Sequence, residues 1–175
     1  MDDGSIFEGQ IENGIPEGKG LLIKKDIGIS YEGFFVKGKF IKGTTRYLND
    51  IFRQFLLSHP HPSDVEKFLS DPRNLAFEGE LKEYKIVNGI GTVYYPNLGI
   101  YHGTIVNGLK SGTGKAWKIN GDFYEGQWKD DLFDGKGKLL IKNIKTGNFN
   151  SLEGEWEDGI HQAFNINYAK WLQQS

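Results

Sequence analysis

One pentapeptide recurs six times in this chain, and its spacing leaves few folds open. FEGQI begins at Phe7, YEGFF at Tyr31, FEGEL at Phe77, YHGTI at Tyr101, YEGQW at Tyr124 and LEGEW at Leu152. Successive copies lie 24, 46, 24, 23 and 28 residues apart, the 46 being one repeat plus an insertion. A period of this size marks an array of small units, none of which can bury its apolar face alone. The copies run through nearly all of the 175 residues, so we expect one repeat array over 1–175 rather than two domains.

Each copy alternates with the two-residue period of a strand. Phe7, Gly9 and Ile11 share a face, as do Tyr31/Gly33/Phe35, Phe77/Gly79/Leu81, Tyr101/Gly103/Ile105, Tyr124/Gly126/Trp128 and Leu152/Gly154/Trp156. The opposite face carries Glu8, Glu32, Glu78, Glu125 and Glu153. Every strand therefore has a dry side and a wet side. The central glycines Gly9, Gly33, Gly79, Gly103, Gly126 and Gly154 fall on the dry side, where a missing Cβ lets a ring approach the backbone. We expect the glutamates to pair across strands with lysines such as Lys19, Lys115 and Lys138, each pair contributing little.

Turn chemistry follows each strand: Asn13-Gly14, Lys37-Gly38, Asn107-Gly108 and Asp158-Gly159. Then come Gly18-Lys19-Gly20, Gly89-Ile90-Gly91, Gly112-Thr113-Gly114 and Gly135-Lys136-Gly137, and after them a second apolar run such as Val93-Tyr94-Tyr95. Asn-Gly between alternating runs is a hairpin signal. Gly 24 together with 14% aromatics fits many tight turns between short strands. We expect an all-β chain in which successive hairpins pair into one elongated, single-layer antiparallel meander.

The segment YEGQWKDDLFDGKGKLLI, Tyr124 to Ile141, resembles a MORN repeat, whose pattern is roughly YEGxWxxGxxxGxGxxxxxxG. The resemblance covers five or six repeats. It implies the meander of stacked hairpins and a non-catalytic scaffold, similar to MORN arrays of radial spokes and other ciliary or cytoskeletal assemblies. Four departures stand out. The second repeat has only Gly43 where a Gly-x-Gly belongs, and the fifth has Asp131 at the turn glycine. The third reads as carrying one extra turn residue, because Gly89 follows Phe77 by 12 where the other repeats show 11. The sixth lacks the Gly-x-Gly pair, which leaves its second strand open.

Residues 48–76 break the pattern. Ile51, Phe52, Phe55 and Leu56 make one helical stripe, His59-Pro60-His61-Pro62 stops it, and Ser63 with Glu66 forms a capping box ahead of Val65, Phe68 and Leu69. A helical insertion is expected here, either folded over its own sheet or presented for docking. The tail, 164–175, reads as a short capping helix through Tyr168, Trp171 and Leu172, or else as strand through Phe164, Ile166 and Tyr168.

Catalytic and ligand motifs fail on inspection. LKSGTGKA, Leu109 to Ala116, puts Leu109 and Ala116 at required positions of a phosphate loop. The stretch from Asp130 to Ile141 puts Leu132 and Ile141 at calcium-ligand positions. His59, His61, His102 and His161 show no metal spacing, and the chain has no cysteine, which fits a reducing compartment. Lys+Arg 21 against Asp+Glu 23 gives a net charge of −2, with Arg46, Arg53 and Arg73 the only arginines, so no nucleic acid is expected as partner. The start carries no basic segment followed by an apolar one, so no signal peptide is read and a cytoplasmic location is expected. No cofactor, metal or enzymatic activity is expected.

What remains is docking of another protein as a helix or extended segment. Rings gather toward the C-terminal half at Tyr95, Trp117, Tyr124, Trp128 and Trp156. The face bearing Tyr101, Tyr124, Trp128 and Trp156 is expected to form a concave groove, the alternative being that these rings are the core of the stack. A second functional reading takes Lys19, Lys110, Lys115, Lys136 and Lys138 as a strip for anionic membrane lipid headgroups, although acids are interleaved among them.

Overall fold

The computed structural model describes residues 4–47, 76–95 and 98–169, among which there are thirteen strands and no helix. The strands are β1 (Ile6–Glu12), β2 (Ile15–Lys24), β3 (Ile29–Val36), β4 (Lys39–Tyr47), β5 (Ala76–Lys82), β6 (Lys85–Tyr95) and β7 (Gly99–Val106). Then follow β8 (Leu109–Lys118), β9 (Phe123–Lys129), β10 (Leu132–Lys142), β11 (Phe149–Glu157), β12 (Ile160–His161) and β13 (Ile166–Asn167). All thirteen form one antiparallel sheet in chain order, with β1 and β13 as its open edges. Two-residue turns fix the pairing within each of the six hairpins, because such a turn can only return the chain beside the strand it has just left.

Both central turn residues of each hairpin have positive φ, the geometry whose twist matches that of the flanking strands. Asn13-Gly14 and Asn107-Gly108 meet the demand conventionally; Glu83-Tyr84 and Asp130-Asp131 meet it without glycine. Turns also tie neighbouring hairpins together: the amides of Gly38, Gly108, Asp131 and Gly159 donate to the carbonyls of Pro16, Val87, Lys110 and Phe133 in the preceding hairpin.

The central glycines oppose one another across the sheet. Gly9, Gly20, Gly33, Gly43, Gly79 and Gly89 form one ladder, and Gly91, Gly103, Gly114, Gly126, Gly137 and Gly154 form a second. The step between them falls inside β6, where Gly89 pairs Gly79 on one side and Gly91 pairs Gly103 on the other. This corrects the reading of the third repeat. Gly89 stands at the register position of the second glycine elsewhere (Gly20, Gly114, Gly137), so the third hairpin is one residue shorter in its bulge, not longer in its turn. The second hairpin is short in the same way, and Gly43 alone suffices there.

The glycine rows are where the rings lie. A Cβ on Gly103 or Gly126 would run into the ring two residues earlier on the same strand, Tyr101 or Tyr124. Each of these tyrosines lies along the backbone and donates its hydroxyl to the carbonyl three residues on, Thr104 at 2.9 Å and Gln127 at 3.0 Å. Ring-to-ring contacts then run diagonally between repeats. Phe7 meets Phe35 at 5.1 Å, Tyr101 meets Trp128 at 5.4 Å and Tyr124 meets Trp156 at 6.0 Å. The indoles of Trp128 and Trp156 donate to the carbonyls of Gly114 and Gly137 in the preceding repeat. One apolar cluster thus extends from Leu22 to Trp156 along the dry face.

In the sixth repeat Leu152 replaces the ring, and His161 of β12 takes its place: a Cβ on Gly154 would lie 2.9 Å from the imidazole Nε2. His161 is buried, edge-on to Trp156 at 4.8 Å. The helical insertion expected over 48–76 lies outside the described residues except for Ala76, which begins β5 rather than ending a helix. In the tail the described part is strand: β13 pairs with β12, and Tyr168 packs on Trp156 at 5.8 Å. Residues 170–175, with Trp171 and Leu172 of the expected capping helix, lie outside the described residues.

Candidate functional site

Tyr101, Tyr124, Trp128, Trp156 and Trp117 do not line an open groove. All five are buried at 0–4% exposure. The first four are the interior of the ring cluster, because Tyr101 and Tyr124 lie down over the glycines and Trp128 and Trp156 pack edge-on against them. Trp117 is on the other face, 5.2 Å from Phe123. Of the expected groove residues only Tyr95 borders open space.

That space is a cleft of about 480 Å³ on the dry face, across β3 to β7. Its floor is Tyr31, Thr45, Leu81, Val93 and Ile105, its walls Tyr47, Ile86 and Tyr95, and its rim the turn residues Tyr84 and Gly108. Tyr31 and Tyr84 meet edge-on at 5.3 Å, and Lys24 sits 5.0 Å above the Tyr84 ring. Tyr47 accepts a hydrogen bond from the Tyr94 amide at 3.0 Å. The Thr45 hydroxyl is buried without a hydrogen-bond partner.

Apart from Lys85 in its lining, the cleft holds neutral polar groups in apolar surroundings. Burial raises the phenol of Tyr31, with Tyr84 and Asp26 nearby adding to the effect. Burial pushes Tyr47 up to about 12 and Tyr95 higher still. At neutral pH the phenols are therefore hydrogen-bonding groups without charge. Such a surface suits an aromatic or branched aliphatic side chain carrying one polar atom, and Lys85 in its lining disfavours a cation.

The lysine strip is not an uncompensated patch. Lys115 pairs with Glu125 at 3.2 Å and Lys138 with Glu153 at 3.6 Å, in the cross-strand manner read from the sequence, while Lys19 lies over Phe34 at 5.7 Å. Lys110 is inside, at 6% exposure, bonded to Asp131 at 3.1 Å with the Tyr95 ring 4.7 Å from its Nζ. Burial lowers its affinity for the proton and Asp131 opposes that shift. The same carboxylate accepts from the Lys110 amide at 2.8 Å, which explains why an aspartate serves where a glycine was expected. Among the described residues no group of three His, Asp or Glu is placed to hold a metal ion.

Sequence reasoning missed Tyr31, Thr45, Tyr47 and Tyr84. Tyr84 leaves one signal: the third repeat alone puts an aromatic in the two-residue turn, where a ring gains nothing locally.

Compared with family models, the chain matches the MORN repeat at residues 7–26, 101–123 and 124–143. No curated protein matches it significantly.

Proposed function

The chain is a MORN-repeat protein, and we propose that it is a non-catalytic scaffold whose tyrosine-lined cleft receives an apolar anchor from a partner protein. MORN repeats in general are interaction modules for proteins or membranes. The observation that carries the reading to this cleft is its contrast with the rest of the dry face. Repeats four to six fill that face with their own rings, whereas between β3 and β7 it stays open around a buried, unpartnered Thr45 hydroxyl. A partner side chain that fills the space and bonds to Thr45 would relieve both defects. Support for a non-catalytic role comes from the titratable groups: the largest shifts are those of buried phenols packed in the sheet, and the Thr92 hydroxyl at 2.7 Å from His102 Nδ1 is a part-buried cross-strand pair on the face away from the cleft. The finer reading, a subunit of a ciliary, radial spoke-like or cytoskeletal assembly in the cytoplasm, rests on the family resemblance.

Affinity capture with wild-type chain against Tyr84→Ala tests the cleft. The ring is exposed on a turn, so the variant is expected to melt near wild type while losing a partner whose cross-links map to β4–β6. Partners retained equally by Tyr84→Ala would refute the site. Salt-dependent binding to anionic vesicles with no protein partner would refute the protein-docking reading. A tagged chain absent from ciliary and cytoskeletal fractions would refute the finer one.

A further inference from the structure

Among the described residues, β1 is the one copy of the recurring strand that is paired on one side only. β3, β5, β7, β9 and β11 each have a hydrogen-bonded neighbour on both edges. The consequence shows at the strand's second apolar position. Phe35, Leu81, Ile105, Trp128 and Trp156 are 1%, 3%, 2%, 4% and 2% exposed, and Ile11, their counterpart, is 61% exposed. The strand itself carries no lysine and no proline, and the extra residues of the bulge are on β2.

We propose that a second copy of this chain covers this edge, β1 pairing antiparallel with β1 of the other copy about a twofold axis through Gly9. The sequence of the strand selects both partner and register. Residues directly opposite in an antiparallel pair point to the same side, so dry faces stay together only if odd-numbered residues oppose odd-numbered ones. Centring on Glu8 sets Glu8 against Glu8 of the second copy. Centring on Gln10 sets Glu8 against Glu12 of the second copy, twice by symmetry. Like charges directly opposite are destabilising. Centring on Gly9 opposes no like charges and pairs the whole strand. Phe7 faces Ile11 of the second copy, Glu8 faces Gln10, Ile6 faces Glu12, and Gly9 faces Gly9. The glycine ladder that runs from Gly20 to Gly9 then continues into the second copy, and Ile11 gains the apolar neighbour its counterparts have. The opposite edge, β13, has two paired residues and offers no comparable ladder.

Sedimentation equilibrium of the full chain over a micromolar concentration series is expected to show a monomer–dimer equilibrium. Gln10→Glu brings two like-charge pairs into the Gly9 register while keeping the side-chain oxygen that accepts from the Lys19 amide at 2.9 Å. We expect the dimer dissociation constant to rise roughly tenfold while melting of the dilute monomer is unchanged, and Glu8→Gln added to it to restore the dimer. As an independent reading, Glu8→Cys with Gln10→Cys, in a chain that has no cysteine of its own, is expected to give a disulfide-linked dimer on mild oxidation. A monomer at all concentrations, open-ended assembly, or a dimer indifferent to Gln10→Glu would each overturn the proposal.

Discussion

Gly103→Ala isolates what the glycine ladder does, because at Gly103 the cost is steric and not conformational. Its φ is not positive, so alanine meets no backbone penalty. Its Cβ would instead lie 2.5 Å from the Tyr101 hydroxyl oxygen, 2.8 Å from Cζ of the same ring and 2.9 Å from the Gly114 Cα. The ring has nowhere to retreat. It is fully buried, packed edge-on against Trp128 at 5.4 Å, and its hydroxyl is tied to the Thr104 carbonyl at 2.9 Å. Overpacking of this kind costs about 1–3 kcal/mol, and tilting the ring away loses a hydrogen bond worth about 1 kcal/mol. The expected loss is about 2–4 kcal/mol, which for a chain of this size lowers the melting temperature by roughly 4–16 °C. Denaturant unfolding of four proteins measures it: wild type, Gly103→Ala, Tyr101→Leu and the double variant. If the ring is the obstacle, Gly103→Ala costs less in the Tyr101→Leu background, with a coupling of about 1–2 kcal/mol. Additive losses, or a single-variant loss below about 0.5 kcal/mol, would refute the assignment of the ring to the glycine row.

Three further outcomes follow from the titratable groups. Burial, assisted by Lys115, holds His102 below its ordinary value of 6.5, so the unfolded chain binds the proton more readily. Stability is therefore expected to fall as pH drops below about 6.5, with His102→Gln flattening that part of the profile; an unchanged profile in the variant would contradict the burial. Tyr47, raised to about 12, and Tyr95 and Tyr124, raised further, favour the neutral form in the fold, so their stabilisation is complete below pH 10 and lost as pH climbs through the folded values. Ionisation of the buried phenols should coincide with loss of the strand signal in circular dichroism, and phenolate absorbance that accounts for all eight tyrosines with the sheet intact would contradict this. Lys110→Met strands the partly buried Asp131 carboxylate and should cost about 1–3 kcal/mol, while adding Asp131→Gly, which suits the turn's φ of 70°, should recover most of it in thermal melts. A double variant no more stable than Lys110→Met would refute the coupling.

The strands and their faces were legible because a two-residue alternation is a local signal, repeated six times with little noise. What a single sequence conceals is where a ring goes once it leaves the backbone. Tyr124 and Trp128 read equally well as groove or core, and only the inclination of Tyr124 over Gly126 and Gly137, with Trp128 edge-on to it at 5.0 Å, settles them as core. Lys110 read as a solvent-facing cation because charge alone says nothing of the carboxylate that meets it; Asp131, the mate, read as a defect of the turn. His161 read as a lone histidine, although it stands in for the ring that Leu152 fails to supply. Glu83-Tyr84 went unread as a turn because a pair without glycine carries little local signal, and the third hairpin's length was misjudged with it.

The position of the cleft follows from the residues that face the motif rings. Across the sheet, Phe7 faces Leu22, Tyr31 faces Thr45, Phe77 faces Gly91, Tyr101 faces Ala116 and Tyr124 faces Leu139. Leucine at both ends of that series fills the dry face. Threonine and glycine in the second and third repeats leave it short of apolar volume, where the shortened hairpins also shift the glycine ladder by two residues. Thr45 is thus a poor residue for stability at a position where an apolar one would serve, and it is well placed for binding. Thr45→Val keeps the shape and removes a buried hydroxyl that has no partner. Burying such a group unpaired costs about 1–3 kcal/mol, so the variant should unfold at higher denaturant, by about 1 kcal/mol, while losing affinity for a partner seated in the cleft. A Thr45→Val chain that is less stable than wild type would mean that the hydroxyl is already satisfied within the fold, and would refute its role in binding.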